Sequence, residues 1–181
     1  MPNPSITRRQ ATIGLAALLP LAGTGRLAVA FRAQDSGISR SAEAIHQEVP
    51  FAPSPARVYS ALTNEKQFDQ VVRQSAAMRG GMPPGAAPTK IVSSNGGEFS
   101  LFGGHIVGRQ IELVTNQRIV QAWRSADWTP GLYSIARFEL VARGVATTLV
   151  FDHTGFPVGQ ADHLAQGWRE NYWAPLAKVL A

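Results

Sequence analysis

Between Thr89 and His153 the chain alternates apolar and polar positions with period two. Residues 98–102 put Phe99 and Leu101 on one face. Residues 107–114 put Ile111 and Leu113 on one face and Gln110 and Glu112 on the other. Residues 132–141 group Ala136, Phe138 and Leu140, and residues 146–153 group Leu149, Phe151 and His153. Successive side chains of a strand point to opposite faces, so this pattern predicts half-buried strands. Short turns separate the runs, at Gly96-Gly97, Gly103-Gly104, Thr115-Asn116-Gln117, 127–131 and Arg143-Gly144. Strands joined so briefly form an antiparallel meander, because parallel neighbours need a long crossover. An earlier run, 42–51, alternates as well, with Ala44 and His46 on one face and Ile45 and Gln47 on the other.

Two segments change period. After Pro53, Ser54 can cap a helix with Pro55 in its first turn, and Val58, Tyr59 and Leu62 follow at helical spacing. Thr63-Asn64 breaks it, and a second short helix over 65–72 turns Phe68, Val71 and Val72 inward. Residues 74–88, rich in Gly and Pro, read as a loop whose Met78 and Met82 either cover an apolar opening or pack on the surface. The chain closes with a long amphipathic helix from Gln160 or Ala161 to Leu180. Its stripe is Leu164, Trp168, Tyr172 or Asn171, Pro175 and Val179, with a kink expected near Asn171, where Pro175 removes a hydrogen bond.

The first 30 residues have a different character. Arg8-Arg9 precedes an apolar run over 11–22, and Ala28-Val29-Ala30 has the small-x-small form of a signal peptidase site. The run is shorter than the roughly 20 residues a membrane span needs. Paired arginines before it resemble a twin-arginine export signal, although Ala11 stands where a bulky apolar residue is common. The expectation is a leader over 1–30, engaged by the twin-arginine export machinery, a tether over 31–41, one domain over 42–181, and a periplasmic or secreted location.

The leader also alters the charge picture. The formal net charge is +5, but the leader holds three of the 17 basic residues and none of the 12 acidic ones, so the remainder carries only +2. That is no nucleic-acid footprint. The absence of Cys removes thiol catalysis, disulfides and Cys-based metal sites from consideration. His46, His105, His153 and His163 are scattered, with no His-x-His or His-Glu-x-x-His spacing, so neither a metal nor another cofactor is expected.

The element order is that of an α+β helix-grip (START-like) fold: an antiparallel sheet wrapped around a long C-terminal helix, with two short helices after the first strand. Particular strings sharpen this: 51–63 as opening strand and helix, Gly96-Gly97-Glu98-Phe99, the hairpin over 108–123 with Glu112, Arg118 and Trp123, the strand over 147–155, and Gly167-Trp168. Together, over roughly 43–181, they resemble the activator of heat-shock protein 90 ATPase homologue-like family of the START-like (SRPBCC) superfamily. Phe68 stands where that family usually has tryptophan, and Thr115-Asn116 where it commonly has proline.

The resemblance implies an apolar cavity between sheet and helix that binds a hydrophobic small molecule or lipid. Phe99, Leu101, Ile111, Leu113, Phe138, Leu149, Phe151, Leu164, Trp168 and Tyr172 would line it, with His153 as the polar group that orients the ligand. The plainer reading of His153 is a hydrogen-bonded structural histidine, and that of Glu112 a solvated carboxylate. A cavity enzyme of cyclase or hydrolase kind would use one of these two for acid–base work. The family name adds a chaperone-cofactor role through an unidentified protein partner. Export argues against that role, since that chaperone and its ATP are cytosolic in bacteria.

Overall fold

The alternating runs close into one seven-stranded antiparallel sheet of order β1-β7-β6-β5-β4-β3-β2 in the computed structural model, which describes residues 43–81 and 87–181. The strands are β1 (Glu43–Phe51), β2 (Lys90–Ile91), β3 (Glu98–Leu101), β4 (Ile106–Val114), β5 (Arg118–Ser125), β6 (Ser134–Arg143) and β7 (Ala146–Phe156). The expected leader, the tether and Met82 lie outside the described residues. Helices α1 (Pro55–Thr63) and α2 (Glu65–Arg73) follow β1 as the sequence predicts, and Asn64 caps α2 by accepting from the Gln67 amide. The segment read as a loop holds a further turn of helix, α3 (Ala76–Arg79), because the Ser75 hydroxyl accepts from the Met78 amide. Met78 packs against the core.

The alternation read in β4 breaks at one point. Gln110 pairs with Gln121 and Glu112 with Val120, so Ile111 is the extra residue of a β-bulge. A bulge shifts the face that later residues occupy. Gln110 is buried in alternation with Ile106 and Gly108, Ile111 is 48% exposed on the outer face, and past the bulge Leu113 returns to the inner face half-buried. The expectation that Ile111 and Leu113 share the inner face is corrected by this insertion.

The C-terminal helix runs as α4 (Ala161–Trp168), a π turn (Arg169–Trp173) and α5 (Ala174–Leu180). Its buried stripe is Leu164, Trp168, Tyr172, Leu176 and Leu180, four residues apart throughout. In a regular α-helix each step of four rotates about 40° off line. The π turn absorbs part of that drift and keeps the stripe on the sheet. Pro175, which has no N–H for the Asn171 carbonyl, is buried just beyond it. The stripe therefore ends on Leu176 and Leu180, with Val179 only half-buried.

Polar ties hold the helix to β1. The Glu43 carboxylate accepts from the amides of Gly159, Gln160 and Ala161 at 2.7, 3.1 and 2.9 Å. Inward-facing Gln47 donates to the Ala165 carbonyl and accepts from the Trp173 indole.

Candidate functional site

Most of the space between sheet and helix is filled by rings. Trp168 lies 4.4 Å from Phe151 and 4.2 Å from Tyr172, centroid to centroid, and stacks on Trp173 at 5.5 Å. Phe138 meets Phe151 at 5.0 Å. The void left among Phe99, Leu101, Phe138 and Tyr172 is about 10 Å³, too small for more than a single water. Phe99, Leu101, Phe138, Leu149 and Phe151 are thus core side chains. The long hollow expected between sheet and helix is occupied by the protein's own indoles.

His153 is sealed in this core, with no exposed surface. The Trp168 indole N–H donates to its Nδ1 at 3.0 Å, which leaves Nδ1 without a proton and places the ring hydrogen on Nε2. Nε2 lies 2.7 Å from the Ser134 hydroxyl, which donates in turn to the Trp123 carbonyl at 2.9 Å. Every proton in the chain is used. Burial pushes the imidazole down to about 3, so it is neutral across the physiological range. It touches no cavity, and no proton is free for acid–base work. Glu112 is the other acid–base candidate. It sits on the outer face in a bidentate pair with Arg118 (2.7 and 3.0 Å), and the pairing holds its carboxyl below the usual range.

One cavity of about 260 Å³ opens at the end of the sheet beside the start of the helix. Three of the predicted lining residues reach it: Leu164, Trp168 and Tyr172. The rest of the wall comes from Trp123 at the end of β5, Trp128 in the following turn, Ile106 at the start of β4, and Phe102. Trp123 and Trp128 meet at 5.4 Å and 64°, so their rings form two walls and not one plane. Trp128 is fixed there: its indole donates to Gln160 at 3.0 Å, and Arg124 holds its carbonyl at 2.7 Å. Phe102 has φ of 50°, a strained conformation for a bulky residue. Its ring is thereby turned inward onto Tyr172 at 5.3 Å.

The helix side of the wall contains Gly167. A Cβ added there would meet nothing within 4 Å, so the missing side chain leaves open space along this wall. Two walls carry unpartnered polar atoms, the Trp123 indole nitrogen and the Tyr172 hydroxyl. Burial raises the Tyr172 hydroxyl well above its ordinary range.

The rim is polar. His105 Nε2 lies 3.3 Å from the Ser125 hydroxyl, which also bonds the Asp127 carboxylate. The hydroxyl has one proton, and Asp127 can only accept it, so His105 is the donor to Ser125. A nucleophilic relay needs the imidazole between the hydroxyl and the carboxylate; here the hydroxyl is in the middle. The Ser125 bond and the neighbouring His105 and His163 hold Asp127 below its ordinary range and therefore ionised. No His, Asp or Glu cluster suited to a metal is found among the described residues.

The sequence pattern missed this site because its best walls sit at element ends. Phe102, Trp123 and Trp128 are ordinary turn-flanking aromatics until the chain brings them together. Gly167-Trp168 was the one local signal that could have found it, since glycine within a helix asks for a reason.

A family model described as "Activator of Hsp90 ATPase homolog 1-like protein" matches residues 52–181. The mouse "Activator of 90 kDa heat shock protein ATPase homolog 2" is 29% identical over 94 residues, 52% of this chain and 28% of that protein. The human homolog 1 is 23% identical over 123 residues, 68% of this chain and 32% of that protein. The chain thus spans about a third or less of these curated relatives. Among solved structures, an HSP90 activator from Plasmodium falciparum superposes with a TM-score of 0.66 at 22% identity, covering 76% of this chain and 95% of its own. CalU16 from Micromonospora echinospora gives 0.61 at 17% identity, covering 77% of each. At such identities these structures speak for the fold alone.

Proposed function

Since the chain belongs to the Activator of Hsp90 ATPase homolog 1-like family and has its START-like helix-grip fold, we propose that it is a binding module for a small, largely apolar molecule held in the aromatic cavity between β4, β5 and α4. The observation that carries this reading is the cavity itself: about 260 Å³, walled by aromatic rings and rimmed by a few polar groups. Binding sites for small molecules have that make-up. The size limits the ligand. An apolar cavity of roughly 150 Å³ admits benzene, and drug-sized pockets begin near 300 Å³. A one- or two-ring molecule fits, and a two-chain lipid does not. Burial of its apolar surface at roughly 25 cal/mol per Å² drives binding. The sequence of the first 30 residues supports export, so the ligand would be met in the bacterial envelope.

Native mass spectrometry of the protein purified from cells tests both points. A co-purifying small molecule that Gly167→Leu removes is the expected result. An apo mass, together with no binding of one-ring aromatics, sinks the reading. The same spectrum reports whether residues 1–30 are present in the envelope fraction.

A second reading rests on a different surface. On the outer face of the sheet, Ile111 and Ile135 are exposed, and Val120 and Ala122 lie between them, half-buried. The curated relatives are named as activators of a 90 kDa heat-shock ATPase. A protein partner docked on this strip would be the corresponding role here.

A further inference from the structure

We propose that the ligand of the aromatic cavity is a small organic cation, a quaternary or protonated amine with a compact apolar head; this rests on the small-molecule reading above and adds the charge. Three observations point the same way. First, the cavity is walled by Phe102, Trp123, Trp128, Trp168 and Tyr172, and Trp123 and Trp128 stand as two crossed walls. Aromatic boxes attract cations through the negative faces of their rings, most strongly when the cation leaves water. Second, among the described residues Asp127 is the only carboxylate in the lining and is held ionised, and no Lys or Arg lines the cavity. Arg124, at the end of β5, is used on the carbonyls of Ser125, Ala126 and Trp128.

Third, the helix end in the lining is closed to anions. Gly159 and Gln160, at the N-terminus of α4, belong to the lining. Free amides at a helix N-terminus form an anion site. Here the amides of Gly159, Gln160 and Ala161 all donate to the Glu43 carboxylate. With the helix end neutralised and the lining carboxylate ionised, a carboxylate or phosphate ligand is left only the Trp123 indole and the rim imidazoles of His105 and His163 as donors. A cation finds rings and Asp127.

The test compares choline with 3,3-dimethylbutan-1-ol, its neutral counterpart of the same shape, and with indole as a neutral aromatic probe. Binding is followed by NMR on the indole N–H signals of Trp123 and Trp128. Choline should bind roughly ten-fold or more tightly than the alcohol, the ratio a desolvated cation–π contact supplies. Asp127→Asn should weaken choline by roughly three- to five-fold, as an exposed charge pair would, and leave the alcohol unchanged. Gly167→Leu should abolish binding of all three. Equal affinity for choline and the alcohol overturns the assignment of charge, as does indole binding where choline does not; the small-molecule reading survives both. If no probe binds, or if binding persists in Gly167→Leu, the cavity is not the site and both readings fall.

Discussion

Single residues decide whether the interior is solid or open, and two glycines show it with opposite signs. A Cβ on Gly108 of β4 would lie 2.1 Å from the Ala122 carbonyl oxygen and 2.3 Å from the Phe99 ring. Backbone cannot move aside cheaply, so Gly108→Ala should lose about 1–3 kcal/mol. At Gly167 the same methyl meets nothing, and a helix interior prefers alanine to glycine by roughly 0.5–1 kcal/mol. Gly167→Ala should therefore raise the urea midpoint while Gly108→Ala lowers it. A loss of stability in Gly167→Ala would mean that this space is not empty. His153 offers a separate test, by pH. Its pKa falls from 6.5 to about 3 on burial, so the unfolded chain binds a proton that the native one refuses. The stabilisation is complete above pH 6.5 and is lost as pH falls toward 3, by about 2 kcal/mol between pH 7.5 and 5. Solvent-facing His46, raised by Asp152, acts in the opposite sense. The contrast with His153→Gln isolates the buried ring, since glutamine supplies an acceptor and a donor but does not titrate. Urea titrations at pH 7.5 and 5 should show a smaller acid loss in the variant; parallel losses would contradict the locked, neutral imidazole.

At the scale of elements, β1 acts as a clamp on the C-terminal helix. Three amide bonds to Glu43 hold its carboxyl below the ordinary range, the Gly159 bond first among them. The clamp is present above the unfolded carboxyl pKa and is released as pH falls through the lowered one. Glu43→Gln should weaken it at neutral pH, seen as faster hydrogen exchange of the Gly159, Gln160 and Ala161 amides and little change in β5 and β6. Unchanged exchange there would show that packing alone fixes the helix. The strands, α1, α2 and the long helix were legible in the sequence, because period two and period 3.6 are enforced over many residues by burial. What was not legible lay where the periods fail. The bulge at Ile111 adds one residue that no alternation marks. The π turn is a one-residue change of phase, and it exchanges Val179 for Leu176 and Leu180. The site was legible only on its helix side, at Leu164, Trp168 and Tyr172. Phe102 enters it from the end of β3 and Trp123 and Trp128 from the end of β5 and its turn, and side chains brought together by topology leave no local pattern. Phe138 and Phe151 read equally well as lining or as core, because both are inward and apolar; only the indoles of Trp168 and Trp173, filling the middle, decide.

At the scale of the whole molecule, the sheet separates two surfaces that can be broken independently. The cavity lies on the inner side, at one end of the helix. The strip of Ile111, Val120, Ala122 and Ile135 lies on the outer side, framed by the Glu112–Arg118 pair and by Arg137 with Glu139. Ile111 reaches that strip by following buried Gln110 in the alternation of β4, and the bulge there turns Glu112 outward beside Arg118 and Leu113 inward. If the strip docks a protein, Ile111→Glu with Ile135→Glu places two charges in an apolar contact, where an unpaired buried charge is strongly unfavourable. Affinity for a 90 kDa heat-shock ATPase, and any stimulation of its turnover, should then fall by roughly ten-fold or more. Both positions are exposed in the free protein, so stability should be nearly unchanged. Gly167→Leu, which fills the cavity, should leave this interaction intact. The converse result, stimulation lost in Gly167→Leu and retained in the double glutamate variant, would move the docking surface to the cavity mouth and end the division of labour. Location bears on the same choice, since an ATP-driven partner requires a compartment with ATP. An envelope protein without its first 30 residues leaves the cavity as the working surface; an intact chain in the cytosol makes the outer strip the one to pursue.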